Sequence, residues 1–537
     1  MTTETYYSNI KTAGEAAGHL EEWLKGIEKA LYERQKPQVA YVASLRLATE
    51  LKSLQFGESA AENEAEELVN KYFVETAAYR DAFEGRHGIF VGRKGAGKTA
   101  NLLMLDAELR KNRRNLVCVI KPVAYELQGI IELLRKYKTL DSKGYVIESL
   151  WKYLLYTEMA EALAVELRPS PSGMLGDDEL ALLRLLERES GKLSGEFSVR
   201  LERCVEALIR TNVTDSTIEA SRLAISETLH QGEISELRLL MGRLLSRKRR
   251  VAVLIDNLDK AWDRQGNLGD LAQFLLGLLS AAGRVATDFR HEDSRRQAVS
   301  VSLAIFLRTD IFFQLLANAR EPDKIIAFKV DWQDPELLRR VIEARFLSSH
   351  EDSVLPEELW TKYFLPSVRG MATKEYFTER ILQRPRDLLI FVKAAVAVAV
   401  NRGQPLVREI DIAEAEKQYS QYALSSILVE NGVTVLQLES ILYEFAGASA
   451  RLGTLEVASL LTKAKVPAED HQKILDHLSS ISFLGIEVKE NDFRFAEDPI
   501  DYRKNAVLSQ RLSERQGRPP RFLVHPAFRA FLEISEP

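Results

Sequence analysis

The sequence predicts an α/β fold built on a parallel sheet, and three observations predict it. The stretch Ile89-Phe90-Val91 is a short buried-strand pattern that runs into a glycine-rich turn and then a helical one through Leu105. A second apolar run, Val251–Ile255, ends on a carboxylate, Asp256. Around these two, strand-like and helix-like segments alternate, as they do when helices cover both faces of a parallel sheet.

Taken in order, residues 1–85 show apolar residues at helical spacing around Ala16–Leu31, Gln38–Leu54 and Ala60–Phe83, which predicts an N-terminal helical region. Its aromatics Tyr72, Phe73, Tyr79 and Phe83 fit core packing better than contact with an adenine base. The α/β core spans 86–333. Its second strand is Asn115–Ile120, and a helical insertion from about 124 to 247 separates that strand from Val251. The loop Arg168–Gly173 interrupts the insertion. Leu193-Ser194-Gly195-Glu196 looks like the signature of transporter-type ATPases but lies too far upstream of the Val251 strand to serve as one. Arg247–Arg250 reads better as a helix end complementing its dipole than as a nucleic-acid patch. After a helix near Leu268–Leu279 and an exposed loop, Thr287–Arg296, a fourth strand covers Ala298–Leu307 and a fifth Ile325–Val330. Asp334-Pro335 caps the first helix of a helical lid, 334–425. In the remainder, 426–537, helices Leu455–Lys465 and Asp470–Ile481 precede a hairpin of Leu484–Val488 and Phe493–Phe495, the order of a winged helix.

Gly92 to Thr99 fits G-x-x-x-x-G-K-[ST], the phosphate-binding loop. Gly92, Gly95 and Gly97 allow backbone conformations that turn successive amides inward, with Arg93, Lys94 and Ala96 between them and Ala100 in the following helix. The helix N-terminus adds unpaired amides and the positive end of its dipole. Lys98 reaches the β and γ phosphates, and the Thr99 hydroxyl is a ligand for Mg²⁺. Asp256, delivered by a buried strand to the same sheet edge, is the second metal-side residue and holds Mg²⁺ through water. Where many such enzymes place a glutamate to orient water, this chain has Asn257, which cannot take a proton; Asp259 is the nearest carboxylate. Arg308, ending the fourth strand, can read the γ phosphate with Asp310 orienting it. Arg320 sits where a finger for a neighbouring subunit would lie, although an arginine in such a turn is more often solvated. Arg386 opens a lid helix and can swing onto the nucleotide.

Together, Lys94–Ala100, Ile255–Asp259, Leu307–Asp310 and Arg384–Asp387 resemble bacterial P-loop ATPases of the AAA+ origin-recognition and STAND groups, and Val524–Phe528 is similar to the ends of such chains. The resemblance spans roughly residues 55–537. It implies an ATPase core using ATP and Mg²⁺, a helical lid and a C-terminal winged helix. It also implies homo-oligomers and a separate effector partner, as in antiviral defence operons.

A formal charge of −5 argues against a chain coated in nucleic acid, although the basic stretch Arg511, Arg515, Arg518 and Arg521 keeps a DNA-binding initiator or loader in view. Against it, the reading helix of the winged helix carries Asp470 and Asp476. Two cysteines in so long a chain suit a reducing cytoplasm rather than a disulfide framework. The start lacks a signal-peptide pattern, and the apolar run Ala394–Val400 is too short to span a bilayer, so no membrane role is expected.

Overall fold

The computed structural model describes residues 18, 20–29, 50–86, 88–121, 140–190, 193–194, 197–210, 233–256, 258, 268–288, 300–319, 321–350, 354–431 and 437–536. Five strands form the central sheet: β1 (Ile89–Gly92), β2 (Asn115–Ile120), β3 (Arg250–Ile255), β4 (Val301–Arg308) and β5 (Phe328–Lys329). Their order is β2-β3-β4-β1-β5, and every pairing is parallel. β4 therefore lies between the strand that ends in Asp256 and the strand that feeds the glycine loop, and all three deliver their C-terminal ends to one edge.

Period-two alternation sorts the side chains of these strands into two separate cores. Phe90, Val117, Leu254 and Phe306 face one cluster, shared with the lid and the C-terminal part. Val91, Cys118, Val253 and Ile305 face the other, which the insertion helices fill. Those helices are Leu140–Leu167, Asp177–Arg188, Phe197–Arg210 and Glu233–Leu245. The first packs on helix Leu268–Asp288: Trp151 stacks on Phe274 at 4.5 Å and donates its Nε1–H to the Phe274 carbonyl at 2.8 Å. Gly277 permits the close approach, since a Cβ there would lie 2.1 Å from Ile147 Cγ2.

Three departures from the sequence reading have local causes. The segment 60–83 is not one helix. Short turns over Ala61–Tyr72 give way to extended backbone at Phe73, and Thr76, also extended, caps a new helix, Ala77–Glu84, by accepting from the Tyr79 amide at 3.2 Å. The lid is not wholly helical: helices Pro335–Ser348 and Pro356–Tyr363 are followed by a small hairpin, β6 (Ser367–Val368) and β7 (Met371–Ala372), whose turn uses Arg369 and Gly370 at positive φ. Helices Thr373–Glu379, Pro385–Asn401 and Glu409–Asn431 complete it, and the last runs on through residue 425, where the sequence places the end of the lid.

The C-terminal part carries β8 (Arg451–Gly453), helices Thr454–Lys463 and His471–Ser480, and the hairpin of β9 (Leu484–Lys489) and β10 (Asp492–Arg494), turned at Asn491 with φ 59°. An 18-residue helix, Pro499–Gln516, which the sequence reading did not identify, then leads to β11 (Arg521–Val524). The four strands form an antiparallel sheet in the order β10-β9-β11-β8, the two-helices-and-hairpin arrangement of a winged helix. Among the described residues no helix is long and apolar enough to cross a membrane.

Candidate nucleotide-binding site

β1 ends at Gly92 and the next helix begins at Lys98, so the whole glycine loop lies at the C-terminal edge of the sheet. Gly95 and Gly97 both take φ +84°, a region that side chains disfavour. A Cβ on Gly95 would also press on Arg386 Cβ at 3.2 Å, and one on Gly92 on the Val330 carbonyl oxygen at 3.2 Å. The loop is tethered to its surroundings through its carbonyls. Trp332 Nε1 donates to Ala96 O at 2.8 Å, and Arg384 Nη1 to Lys94 O at 3.0 Å. Lys98 Nζ donates to Gly92 O and Arg93 O, each at 2.9 Å.

Thr99 Oγ1 donates to Asp256 Oδ2 at 2.8 Å, which joins the two predicted metal-side residues directly. Asp256 is buried, its amide held by the Ile120 carbonyl of the neighbouring strand at 3.1 Å. Two such oxygens suit Mg²⁺, which keeps several waters and takes further oxygens from phosphates rather than a closed protein cage. Beside them Asn101 donates to Gly97 O at 2.8 Å, while its Oδ1 is buried without a partner among the described residues.

A cavity of about 260 Å³ opens over this edge. Lys94, Gly95, Gly97, Lys98, Thr99, Ala100 and Asp256 form its floor, and Arg386 and Leu389 approach from the lid. At its far end stand Tyr72 and Phe73. Of the four aromatics assigned to core packing, these two line the cavity, whereas Tyr79 is buried in the core and Phe83 stacks on it at 6.2 Å. Arg345 and Glu64 form a buried ion pair behind Tyr72. The guanidinium lies 4.4 Å from the Tyr72 ring centre, and the Tyr72 hydroxyl donates to Glu64 at 2.9 Å. Burial and that carboxylate raise the Tyr72 phenol far above its ordinary range. Arg345 escaped the sequence reading, although it falls on the apolar stripe of its helix with Leu338, Ile342 and Phe346.

The predicted arginines separate. Arg386 lines the cavity and donates to Ser59 O at 3.2 Å. Arg308 does not line it. Its guanidinium bonds both Asp310 oxygens, at 3.0 and 2.6 Å, and the Glu430 carbonyl at 3.0 Å, on the other side of the glycine loop. Burial raises the Asp310 carboxyl in spite of this arginine. Arg384, which was not singled out, is the buried member of its motif and pairs with Glu430 at 2.9 Å. Its neighbour Asp387 is pushed up to about 6 by burial and accepts from the Tyr419 hydroxyl at 2.9 Å. Arg93 points away from the cavity into the C-terminal part. Asn257, Asp259 and Arg320 lie outside the described residues.

The run Arg247–Arg250 is engaged within the chain: Arg247 lies 3.5 Å from Asp178, Lys248 pairs with Glu166, and Arg250 Nε donates to Ser302 at 2.7 Å. Arg518 and Arg521 likewise pair with one buried carboxylate, Glu487.

Residues 55–124 match the ORC-CDC6-like family model, and residues 336–428 match a FunZ-associated C-terminal helical domain. A putative transposon gamma-delta 80.3 kDa protein of Escherichia coli (strain K12) is 23% identical over 511 residues, covering 90% of this chain and 68% of that protein. Among solved structures, the Aeropyrum pernix ORC1 protein in complex with DNA aligns with TM-score 0.34 at 13% identity, over 84% of this chain and 97% of that one. The Aeropyrum pernix ORC2 protein aligns with TM-score 0.37 at 12% identity, over 86% and 98%. Over the stretch that carries the glycine loop, then, the chain is similar to ORC-CDC6-like proteins, and its parallel-sheet core delivers that loop to the sheet's C-terminal edge.

Proposed function

We propose that the chain binds Mg-ATP at the glycine loop and hydrolyses it slowly, acting as a switch or assembly platform for a separate effector protein in the cytoplasm. One observation carries the reading: Thr99 Oγ1 and Asp256 Oδ2 lie 2.8 Å apart, over a loop whose Gly95 and Gly97 both take φ +84°. The loop amides and Lys98 would hold the phosphates, Thr99 and Asp256 the metal, and Arg386 would approach from the lid. When bound, Mg²⁺ supplies charge neutralisation on the β and γ phosphates. Arg308 would act on the γ phosphate only after leaving Asp310 and Glu430, and Asn257 offers no base, so turnover should be slow. Arg320 would serve a neighbouring subunit if the chain assembles as a homo-oligomer, and an antiphage role would follow if the effector is a defence protein. Lys98→Ala should abolish binding of a fluorescent ATP analogue; a variant with unchanged affinity would reject the site. Light scattering with and without a slowly hydrolysed analogue should reveal the change in mass that an assembly platform requires.

A second reading, DNA binding by an initiator-type ATPase, is favoured by one feature. The helix Pro499–Gln516 exposes Arg503, Lys504, Arg511 and Arg515 along one face, and no carboxylate lies within ion-pair distance of them among the described residues. Binding to duplex DNA should weaken with salt at a slope of about −0.9 per phosphate neutralised. No binding, or binding without that slope, rejects it.

A further inference from the structure

The second residue of the glycine loop, Arg93, sends its side chain away from the nucleotide cavity into a receptor of three backbone carbonyls and one hydroxyl. Arg93 Nε donates to Glu497 O at 2.8 Å, Nη1 to Ser482 Oγ at 3.0 Å, and Nη2 to Ala496 O at 3.0 Å and Ser480 O at 3.3 Å. Ser480 is the last residue of helix His471–Ser480, so the guanidinium meets the negative end of that helix. Ser482 is buried at φ +64°, and its hydroxyl accepts from Arg93 while donating to the Ala496 carbonyl. Arg93 is half-buried, and every nitrogen of its guanidinium has a partner in the receptor. Burial, with Arg384 beside it, pulls the Arg93 guanidinium down to about 10, and it stays a cation at neutral pH. The same C-terminal segment is pinned a second time, where Lys329 of β5 meets Glu497 at 2.7 Å and Asp498 at 3.2 Å.

The other end of Arg93 belongs to the phosphate chemistry. Its carbonyl accepts from Lys98 Nζ at 2.9 Å. One residue therefore separates the cation that engages phosphate from the segment 480–498 of the winged-helix part.

We propose that Arg93 is a positioning residue that couples phosphate engagement in the glycine loop to docking of the C-terminal part, an inference that rests on the loop being a nucleotide site. When Lys98 turns onto a phosphate it gives up the Arg93 carbonyl, which keeps the Ala96 amide at 3.1 Å, so the Arg93 peptide is held by one bond fewer while its side chain stays anchored. Coupling of this kind is reciprocal: whatever loosens the receptor must change nucleotide affinity, and nucleotide must change the firmness of docking.

The test uses the full chain carrying S482A together with K329A, two sites outside the phosphate cradle. Deuterium exchange over residues 480–498 should rise. The dissociation constant for a fluorescent ATP analogue should shift, in either direction, by roughly fivefold or more, the lower range of measured couplings. In the unsubstituted chain a saturating analogue should change exchange over the same segment, and in R93A that response should vanish. A looser segment with affinity within about twofold of the unsubstituted chain overturns the coupling. So does unchanged exchange in the double variant, because those contacts would then not hold the part down. A Lys98→Ala chain that binds the analogue normally gives a different signature, rejecting the nucleotide site itself.

Discussion

Thr99 and Asp256 lie 157 residues apart in the chain and share one hydrogen bond, so the proposed metal side of the site depends on two strands delivering their ends to the same edge. An amide at 256 could still accept from Thr99 but would carry no charge to hold the waters of Mg²⁺. Asp256→Asn should therefore lower the Mg²⁺-dependent part of nucleotide affinity by about 10- to 100-fold, the usual cost of losing a residue that orients a metal's ligands. Affinity measured in a chelator should be unchanged. Equal losses with and without Mg²⁺ would remove Asp256 from the metal. At this scale the sequence was legible where the chemistry is local: the cradle from Gly92 to Thr99 is eight consecutive residues. It was illegible where a partner is remote. Glu64 meets Arg345 across 281 residues and Arg384 meets Glu430 across 46, and no spacing rule connects them. The contacts of Arg308 were illegible for the same reason. Its place at the end of β4 was readable, but the carbonyl of Glu430 that it bonds was not.

Among the elements, the strands were read well because period-two burial on a central sheet imposes apolar runs with few alternatives. Helix contacts carry a weaker signal. Gly277 is an unremarked glycine within an apolar helix, and only the approach of Ile147 explains it. Gly277→Ala should raise helix propensity yet destabilise the chain by about 1–3 kcal/mol through overpacking, seen as a lower denaturant midpoint. A gain in stability would mean the two helices can separate at little cost. The C-terminal sheet offers a pH test. Hydrogen bonds from Arg521, then a backbone amide and Arg518, hold the Glu487 carboxyl at about 2, below its unfolded value near 4.3. The native state thus binds fewer protons between those values, so this contribution is present above pH ~4.3 and is lost as the pH falls toward ~2. Glu487→Gln should flatten that acid limb in urea unfolding across this window, and an unchanged slope would mean the pair adds nothing to stability. The variant should also release Arg518 and Arg521, so any salt-dependent DNA binding should strengthen.

For the whole molecule, the sheet divides the interior into two apolar bodies, one shared with the lid and winged helix and one belonging to the insertion. Among the described residues the insertion adds nothing to the cavity lining, whereas Arg386 and Leu389 of the lid do. The helix Glu409–Asn431 has 23 residues, and near its C-terminal end Glu430 meets both Arg308 and Arg384. A rod of that length is about 34 Å long, so a tilt of ~10° pivoting at the arginines sweeps its opposite end through ~6 Å. Breaking two hydrogen-bonded contacts at the fulcrum would thus be magnified into a displacement the size of a side chain, without any bending of the rod itself.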